Sequence, residues 1–554
     1  MQFRSPDKVM RLARMGAAFP TRLSFMRSLV RRMWREDWQF SIRRFDLDPE
    51  GYGTAVLSVE TPARTYSLIV FSHALDPAMR TDRVIAEAWD CTFNLFDGVP
   101  DEADIARLSQ NTPKQEAGRF RPSELVLARA NKSVRLFQHV ADSLAQGRQP
   151  DMNRLAEVGY LMRTTAVYGN GKFGIADRYR IADRPEAGGS FQIEMLAVYL
   201  YRWFTLELVQ HVARARGGDR AVPLDPQIAA YLGIGNATGL GMAPFLVRHQ
   251  ALLHRWVMAR ETALARVLAQ TTTTQDVAGQ FMEGLAQARA HAVEWQVEDA
   301  QQMARIERLR HDLQKLRRCA VAVLPDTASP WATLSAYAEA HCSTEGQEML
   351  VSLMLEPHGD LVDDLAENLQ TEEVLALDTA MTMADLADLI DRNYGWALDF
   401  DFTAPDQSER FWYYSEEKLE PRLGNRFTEP GADLEMPLAV ARDVTALRID
   451  LERRAPSDKV ADLLLAHPQH RQIVTRVQLS SDHAYGEIRD NLIAADMRPI
   501  DILRFKLALF GACRFDPKSD LWTRISMYQG APLPGQLTAE SIEGWSLAVR
   551  PGAT

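Results

Sequence analysis

The segment Ser481-Asp482-His483-Ala484-Tyr485-Gly486-Glu487-Ile488-Arg489 gathers side chains of very different polar chemistry in nine residues. On a helix, His483 and Glu487 are four apart and face the same way, a spacing that paired metal ligands use; on a strand, His483, Tyr485, Glu487 and Arg489 share a face. Histidine exchanges protons near neutral pH, so His483 is the expected general acid or base, with Glu487 or Tyr168 completing the proton transfer. A surface or capping histidine is the plainer alternative. The other histidines are weaker candidates: His467 and His470 flank Pro468, which disrupts a helical face, and His249 and His254 are five apart and diverge. HExxH, GxSxG and Cys-His signatures are all missing from the sequence.

Two glycine-rich segments interrupt otherwise helical patterns. The first, Arg163 to Gly174, has the residues of a polar turn, with Tyr168, Asn170, Lys172, Asp177 and Arg178 close in sequence. It is not a Walker A loop, because position 166 is Ala and Phe173 follows Lys172 where a Ser or Thr is required. Arg163, Asn170 and Lys172 suit an anionic small molecule; a solvated turn between helices is the alternative. The second segment, Gly233 to Phe245, runs into a long apolar pattern through Pro244. Free backbone N–H groups at such a helix start favour a carboxylate or phosphate, which makes Gly235, Asn236, Thr238 and Gly239 candidate binding residues. A dinucleotide fold would need a following strand and an acidic residue about twenty positions on, whereas the pattern from Leu252 to Leu268 stays helical. Close helix packing through glycine explains the same residues without a ligand.

A further group surrounds Asp399 and Asp401, which share one face if Trp396 to Phe402 is a strand, with Arg410, Tyr413, Glu416, Glu417, Glu420 and Arg422 nearby. Paired carboxylates can do acid–base work or hold magnesium, and Arg410 is added as a substrate-binding candidate. A structural ion-pair network is the alternative.

The elements that must position these groups read as mainly α (α+β). Strand patterns at Trp38 to Leu47, Thr54 to Glu60, Thr65 to His73 and Arg83 to Phe96, with turn signals at Asp48 to Gly53 and Thr61-Pro62, predict a small N-terminal antiparallel sheet of three or four strands. Helical spacing then predicts helices from Pro122 to Val140, Met152 to Val167, Phe191 to Ala215, Ala243 to Leu268 and Asp276 to Val323. The last, if unbroken, is about 70 Å long at 1.5 Å per residue. Its Ile306/Leu309/Leu313/Leu316 seam suits a homodimer, or else the segment folds back as an internal hairpin. A short hairpin around Ala404 to Gln407 and two or three helices complete the C-terminal third. The expected domains are residues 1–100, 101–325 and 326–554.

Composition bounds the function. In 554 residues, 63 Lys and Arg against 74 Asp and Glu leave a net charge of -11, which argues against general nucleic-acid binding. Four scattered cysteines fit neither a zinc nor a redox motif and suit a reducing, cytoplasmic setting. No apolar run is long enough for a membrane span, and arginines interrupt every apolar run near the N-terminus, so secretion is not expected. Residues 1–44 carry a net +8 with Phe25, Met26, Leu29, Val30 and Met33 at helical spacing, whereas 356–409 carry -14. The two segments can pack on each other; contact with a membrane surface is the weaker possibility. The resulting expectation is a soluble enzyme acting on a small anionic metabolite by acid–base chemistry, with no cofactor assigned. The alternative is a non-catalytic oligomeric scaffold assembled through residues 276–323.

Overall fold

The computed structural model describes residues 3–76, 78, 89–110, 121–169, 184, 186, 191–236, 250–297, 300–324, 327–367, 369, 377–398, 412–414, 422–423, 433–434, 440–489, 508–509, 511, 514–519, 522–548 and 550–552. Strands β1 (Gln39–Leu47), β2 (Gly53–Glu60), β3 (Thr65–Ser72), β4 (Cys91–Asp97), β5 (Glu124–Lys132) and β6 (Tyr160–Gly169) form an antiparallel meander. Next to β6 lies β7 (Gly233–Asn236), which pairs with it in parallel. A three-stranded sheet is made by β8 (Trp412–Tyr414), β9 (Arg422–Leu423) and β10 (Asp433–Leu434). The large sheet is completed by β11 (Arg514–Ser519) and β12 (Trp522–Met527), giving the order β1-β2-β3-β4-β5-β6-β7-β12-β11.

This corrects the expectation of a small N-terminal antiparallel sheet: the sheet has nine strands, is mixed, and draws its last two from beyond residue 500. The reason lies in the strands that were read as helices. The Leu, Val and Ala residues of β5 fit helical spacing as well as strand alternation, and β6 runs Tyr-Leu-Met, then Arg-Thr-Thr, then Ala-Val-Tyr without a period of two; a strand covered on both faces loses that signal. Residues 122–140 are therefore β5 followed by the helix Phe137–Ala145, and the helix expected to reach Val167 stops at Val158, where Gly159 adopts φ 77° and turns the chain into β6. The β1–β2 turn is as the sequence implies. Asp48 Oδ1 accepts from the Glu50 and Tyr52 N–H groups, and a Cβ at Gly53 would lie 2.0 Å from the Asp46 carbonyl.

One face of the sheet is covered by the 26-residue helix Gln192–Gly217, which is apolar around most of its circumference because it is buried on most sides. Phe93 packs on Tyr201 at 4.4 Å between ring centroids, Phe40 on Tyr199, and Tyr199 on Tyr528. Arg202 of this helix is itself buried and donates to the carbonyls of Ala229, Ala230 and Leu232, satisfying the C-terminal end of the helix Pro226–Tyr231. On the opposite face, Val56, Ile69, Phe71 and Phe96 pack with Ile105 and Leu108.

The helix expected over 276–323 is two helices, Gln275–Glu294 and Ala300–Val323, folded back on each other. Arg310 holds the reversal by donating to the carbonyls of Ala292, Val293 and Trp295. Ile306, Leu309, Leu313 and Leu316 are consequently buried inside the chain, so they offer no seam to a second copy. Helices Pro330–His341 and Thr344–Leu355 pack on this hairpin, and a separate smaller core forms among Met383–Leu398, Val440–Glu452, Val460–Ala466 and Arg471–Leu479. The strand expected at Trp396 to Phe402 is the end of the Met383–Leu398 helix as far as Leu398; Asp399 and Asp401 lie outside the described residues. Among the described residues no helix is long and apolar enough to cross a membrane.

The basic N-terminal segment packs on the acidic one and on helices next to it. In the helix Phe25–Arg35, the residues Phe25, Met26, Leu29, Val30 and Met33 enter the main core. Arg22 pairs with Asp363 and Glu543, and Arg27 with Glu356 at 2.6 Å. Deeper still, the fully buried Glu348 meets Arg4 at 2.9 Å, Arg260 at 2.6 Å, and Arg14. Burial alone would raise the Glu348 pKa, but the three guanidinium groups hold it well below the usual carboxylate range. The stability this contributes is present above the ordinary glutamate pKa and is lost only as pH falls through the depressed one. Glu348→Ala strands these cations away from water and is expected to cost about 3–5 kcal/mol in denaturant unfolding at neutral pH. A loss under about 1 kcal/mol would show the cluster to be worth no more than a surface ion pair.

Candidate functional site

The helix Arg471–Leu479 presents Ile473, Val474 and Val477 to the smaller core, and Arg476 is carried inward beside them. A buried guanidinium needs a carboxylate, and Glu487 supplies it in fork geometry: Nε donates to Oε2 at 2.6 Å and Nη2 to Oε1 at 2.7 Å. Tyr394 Oη also donates to Glu487 Oε2 at 2.9 Å, and Gln250 Nε2 reaches the same oxygen at 3.3 Å. Burial pulls the Arg476 pKa down, yet the Glu487 carboxylate more than offsets this and raises it; burial and the same carboxylate push the Tyr394 phenol far up. Gln250 begins the helix Gln250–Leu268 of the main core, so this network joins the two cores.

Glu487 sits on a run of turns, not on a helix or a strand, because the chain leaves the Arg471–Leu479 helix by bonding the Asp482 and His483 N–H groups back to the Leu479 carbonyl and the Gly486 N–H to the His483 carbonyl. His483 and Glu487 are therefore neighbours without acting as a pair. His483 Nδ1 donates to the Leu479 carbonyl at 3.0 Å, and its ring packs edge-on against His254, whose own Nδ1 accepts from the Tyr485 N–H. His254, which was set aside in sequence, thus supports the His483 turn.

Beside the network is a cleft of about 840 Å³, bounded by Gln250, Asp443, His470, Arg471, Thr475 and Arg476 among others. Its most unusual group is Asp443, on the Val440–Glu452 helix. This half-buried carboxyl has no hydrogen bond or ion pair to any described residue, and burial pushes its pKa up despite His470, Arg442 and Arg476 nearby. A carboxyl whose pKa burial raises, lining a cleft together with Arg471 and Arg476, is an arrangement that can bind an anion and exchange a proton with it. His470, which also lines the cleft, has its Nε2 2.8 Å from Asp450 Oδ2. Together with His467 these are, among the described residues, the group of metal-ligating type close enough to share an ion.

The two sequence-derived binding segments lie elsewhere. Arg163 and Gly235 are brought together, but as neighbours in the sheet: Arg163 in β6 stands opposite Asn131 on one side and Gly235 of β7 on the other. Gly233 to Asn236 form a strand, not a loop at a helix start. The glycine at 235 is required because a Cβ there would fall 2.8 Å from the ring of Tyr160. Tyr168 and Asn236 are placed by backbone register alone, opposite Leu127 and Thr164. Asn170, Lys172, Thr238, Gly239 and Arg410 lie outside the described residues. No family model, curated protein or solved structure matches the chain.

Asp443, Arg476, Tyr394 and Gln250 escaped the sequence reading. The one available signal was Arg476 on an otherwise apolar helix face, since a buried cation implies a carboxylate somewhere to receive it. The raised Asp443 pKa also fixes the sign of a stability effect. Its ionisation costs the native state nothing below the ordinary aspartate pKa, and the full amount above the raised one. Asp443→Asn is expected to raise Tm by about 1–2 °C at pH 7, the difference vanishing in acid. An unchanged or lowered Tm at pH 7 would show that ionised Asp443 carries no such cost.

Proposed function

We propose that the chain is an enzyme that binds a small anionic metabolite, bearing a carboxylate or phosphate, in the cleft beside the Arg476–Glu487 pair. Asp443 exchanges a proton with it. The observation carrying this reading is the half-buried Asp443 carboxyl with no described hydrogen-bond or ion-pair partner, which lines one cleft with Arg471, Arg476 and His470. The carboxyl is only partly buried, so a ligand entering the cleft can reach it. Arg471 and Gln472 are exposed at the wall and supply donors for an oxyanion, and Arg476 is fixed by Glu487 so that the wall is preorganised. The protonated Asp443 carboxyl would donate to the bound anion, and the carboxylate would accept in return.

The scaffold reading drew on an exposed seam along residues 306–316, and those residues fill the interior of the helical hairpin. The cleft gives the enzyme reading more support. The test compares Tm of the wild type and Arg471→Ala with a panel of phosphates and carboxylates. A ligand at 100 times its Kd stabilises the native state by about 2.7 kcal/mol. A shift in the wild type that is lost in Arg471→Ala is the expected result. No shift with any compound, or one that survives the substitution, would remove the cleft from the binding site.

A further inference from the structure

Pro468 separates His467 from His470 and was expected to spoil the alignment of the two rings. It has the opposite effect. Proline at the first position of the short helix Pro468–His470 starts a 3₁₀ turn, and in that geometry residues three apart lie one above the other, unlike their offset on an α-helix. The rings of His467 and His470 are brought to 5.9 Å between centroids. The backbone fixes both: His467 N–H bonds to the Leu463 carbonyl at 2.7 Å, and His470 N–H to the His467 carbonyl at 3.1 Å. Asp450, in the last turn of the Val440–Glu452 helix, faces them from the other side.

We propose that Asp450, His467 and His470 bind a divalent transition-metal ion of the zinc class. Two imidazoles and one carboxylate are the donor set for zinc, cobalt or nickel; magnesium and calcium take oxygen donors. The three candidate ligand atoms lie within 4.8 Å of one another. Asp450 Oδ2 is 2.8 Å from His470 Nε2 and 3.8 Å from His467 Nδ1. Two ligands on a tetrahedral ion at about 2.0 Å are about 3.3 Å apart, so the observed separations bracket the required one. Gln469 Nε2 lies 3.3 Å from His467 Nδ1. An amide nitrogen only donates, so this nitrogen presents a lone pair, the state in which a metal takes it. Binding at His470 Nε2 takes the place of its hydrogen bond to Asp450, and the imidazole keeps its one proton on Nδ1. Arg453, at 3.0 Å from the other Asp450 oxygen, remains as an outer partner that orients the carboxylate.

With three protein ligands the ion keeps at least one open position. His470 also bounds the cleft, so the ion would lie beside it. The metal site does not depend on the anion reading, and the measurements keep the two apart. Full-length protein stripped with a chelator is titrated with Zn²⁺ by calorimetry and with Co²⁺ by visible absorption. One equivalent should bind, with visible cobalt bands of a four- or five-coordinate nitrogen and oxygen site. Binding should weaken at least tenfold in His467→Ala and in Asp450→Asn, and persist in Asp443→Asn. His467 is partly exposed and Asp450→Asn is isosteric, so neither variant depends on replacing the buried His470. No binding to the wild type, or full binding by both variants, overturns the proposal. Metal binding without any anion-induced Tm shift would leave the metal site standing and remove the anion reading; an anion shift that survives chelation, with no metal bound, would do the reverse.

Discussion

The arrangement of this chain depends on pairing cations that have been taken out of water. Arg4, Arg14 and Arg260 converge on Glu348, with Glu261 bonded to Arg4 as well; Arg22 reaches both Asp363 and Glu543. Each of these groups would be expensive to bury alone, and Arg4, Arg14 and Arg22 find their counter-charges on elements 257 or more residues away, Arg260 on one 88 residues away. Such pairs add little net stability compared with apolar packing. They do penalise any arrangement in which the N-terminal segment docks in another register, because a misplaced guanidinium then sits unpaired. The same device recurs at Arg476 and Glu487, where it joins the larger core to the smaller one and holds one wall of the cleft.

The parts of the fold legible in the sequence are those where local chemistry and tertiary context agree. Strands β1 to β3 are rich in β-branched and aromatic residues, and β1 and β2 are joined by an Asp-Pro-Glu-Gly turn whose side-chain bonds form as expected. The Gln192–Gly217 helix and the buried face of Phe25–Arg35 follow from spacing alone. Strands β5 and β6 were hidden by their position in the middle of the sheet, where both faces are covered and period-two alternation disappears. Gly233 to Asn236 were hidden for another reason: glycine signals a loop, yet here it admits Tyr160 against the backbone of a strand. The 276–323 region shows that periodicity identifies a buried face without saying where a helix reverses.

Of the candidate site, sequence picked out Glu487 and His483 but not what they do. Glu487 is committed to a guanidinium and a phenol, and His483 to the Leu479 carbonyl; Leu479 and Arg476 are near in sequence, but Tyr394 is 93 residues away. Asp443 carried no local signal, since its environment is made by residues from three helices. His467 and His470 were visible but misjudged, because the spacing was measured against an α-helix and the proline between them selects a tighter turn.

The order of strands bears on how the chain is made. β7 has β6 on one flank, and its other neighbour, β12, lies almost three hundred residues further along. During synthesis the meander can assemble early from local pairings, but the open edge of β7 must wait while the helical hairpin and the whole of the smaller core emerge from the ribosome. An unpaired edge invites pairing with other nascent chains. β7 is only four residues long and contains two glycines, which makes it a poor template for such pairing. Its brevity protects the unfinished protein during the interval before β12 arrives.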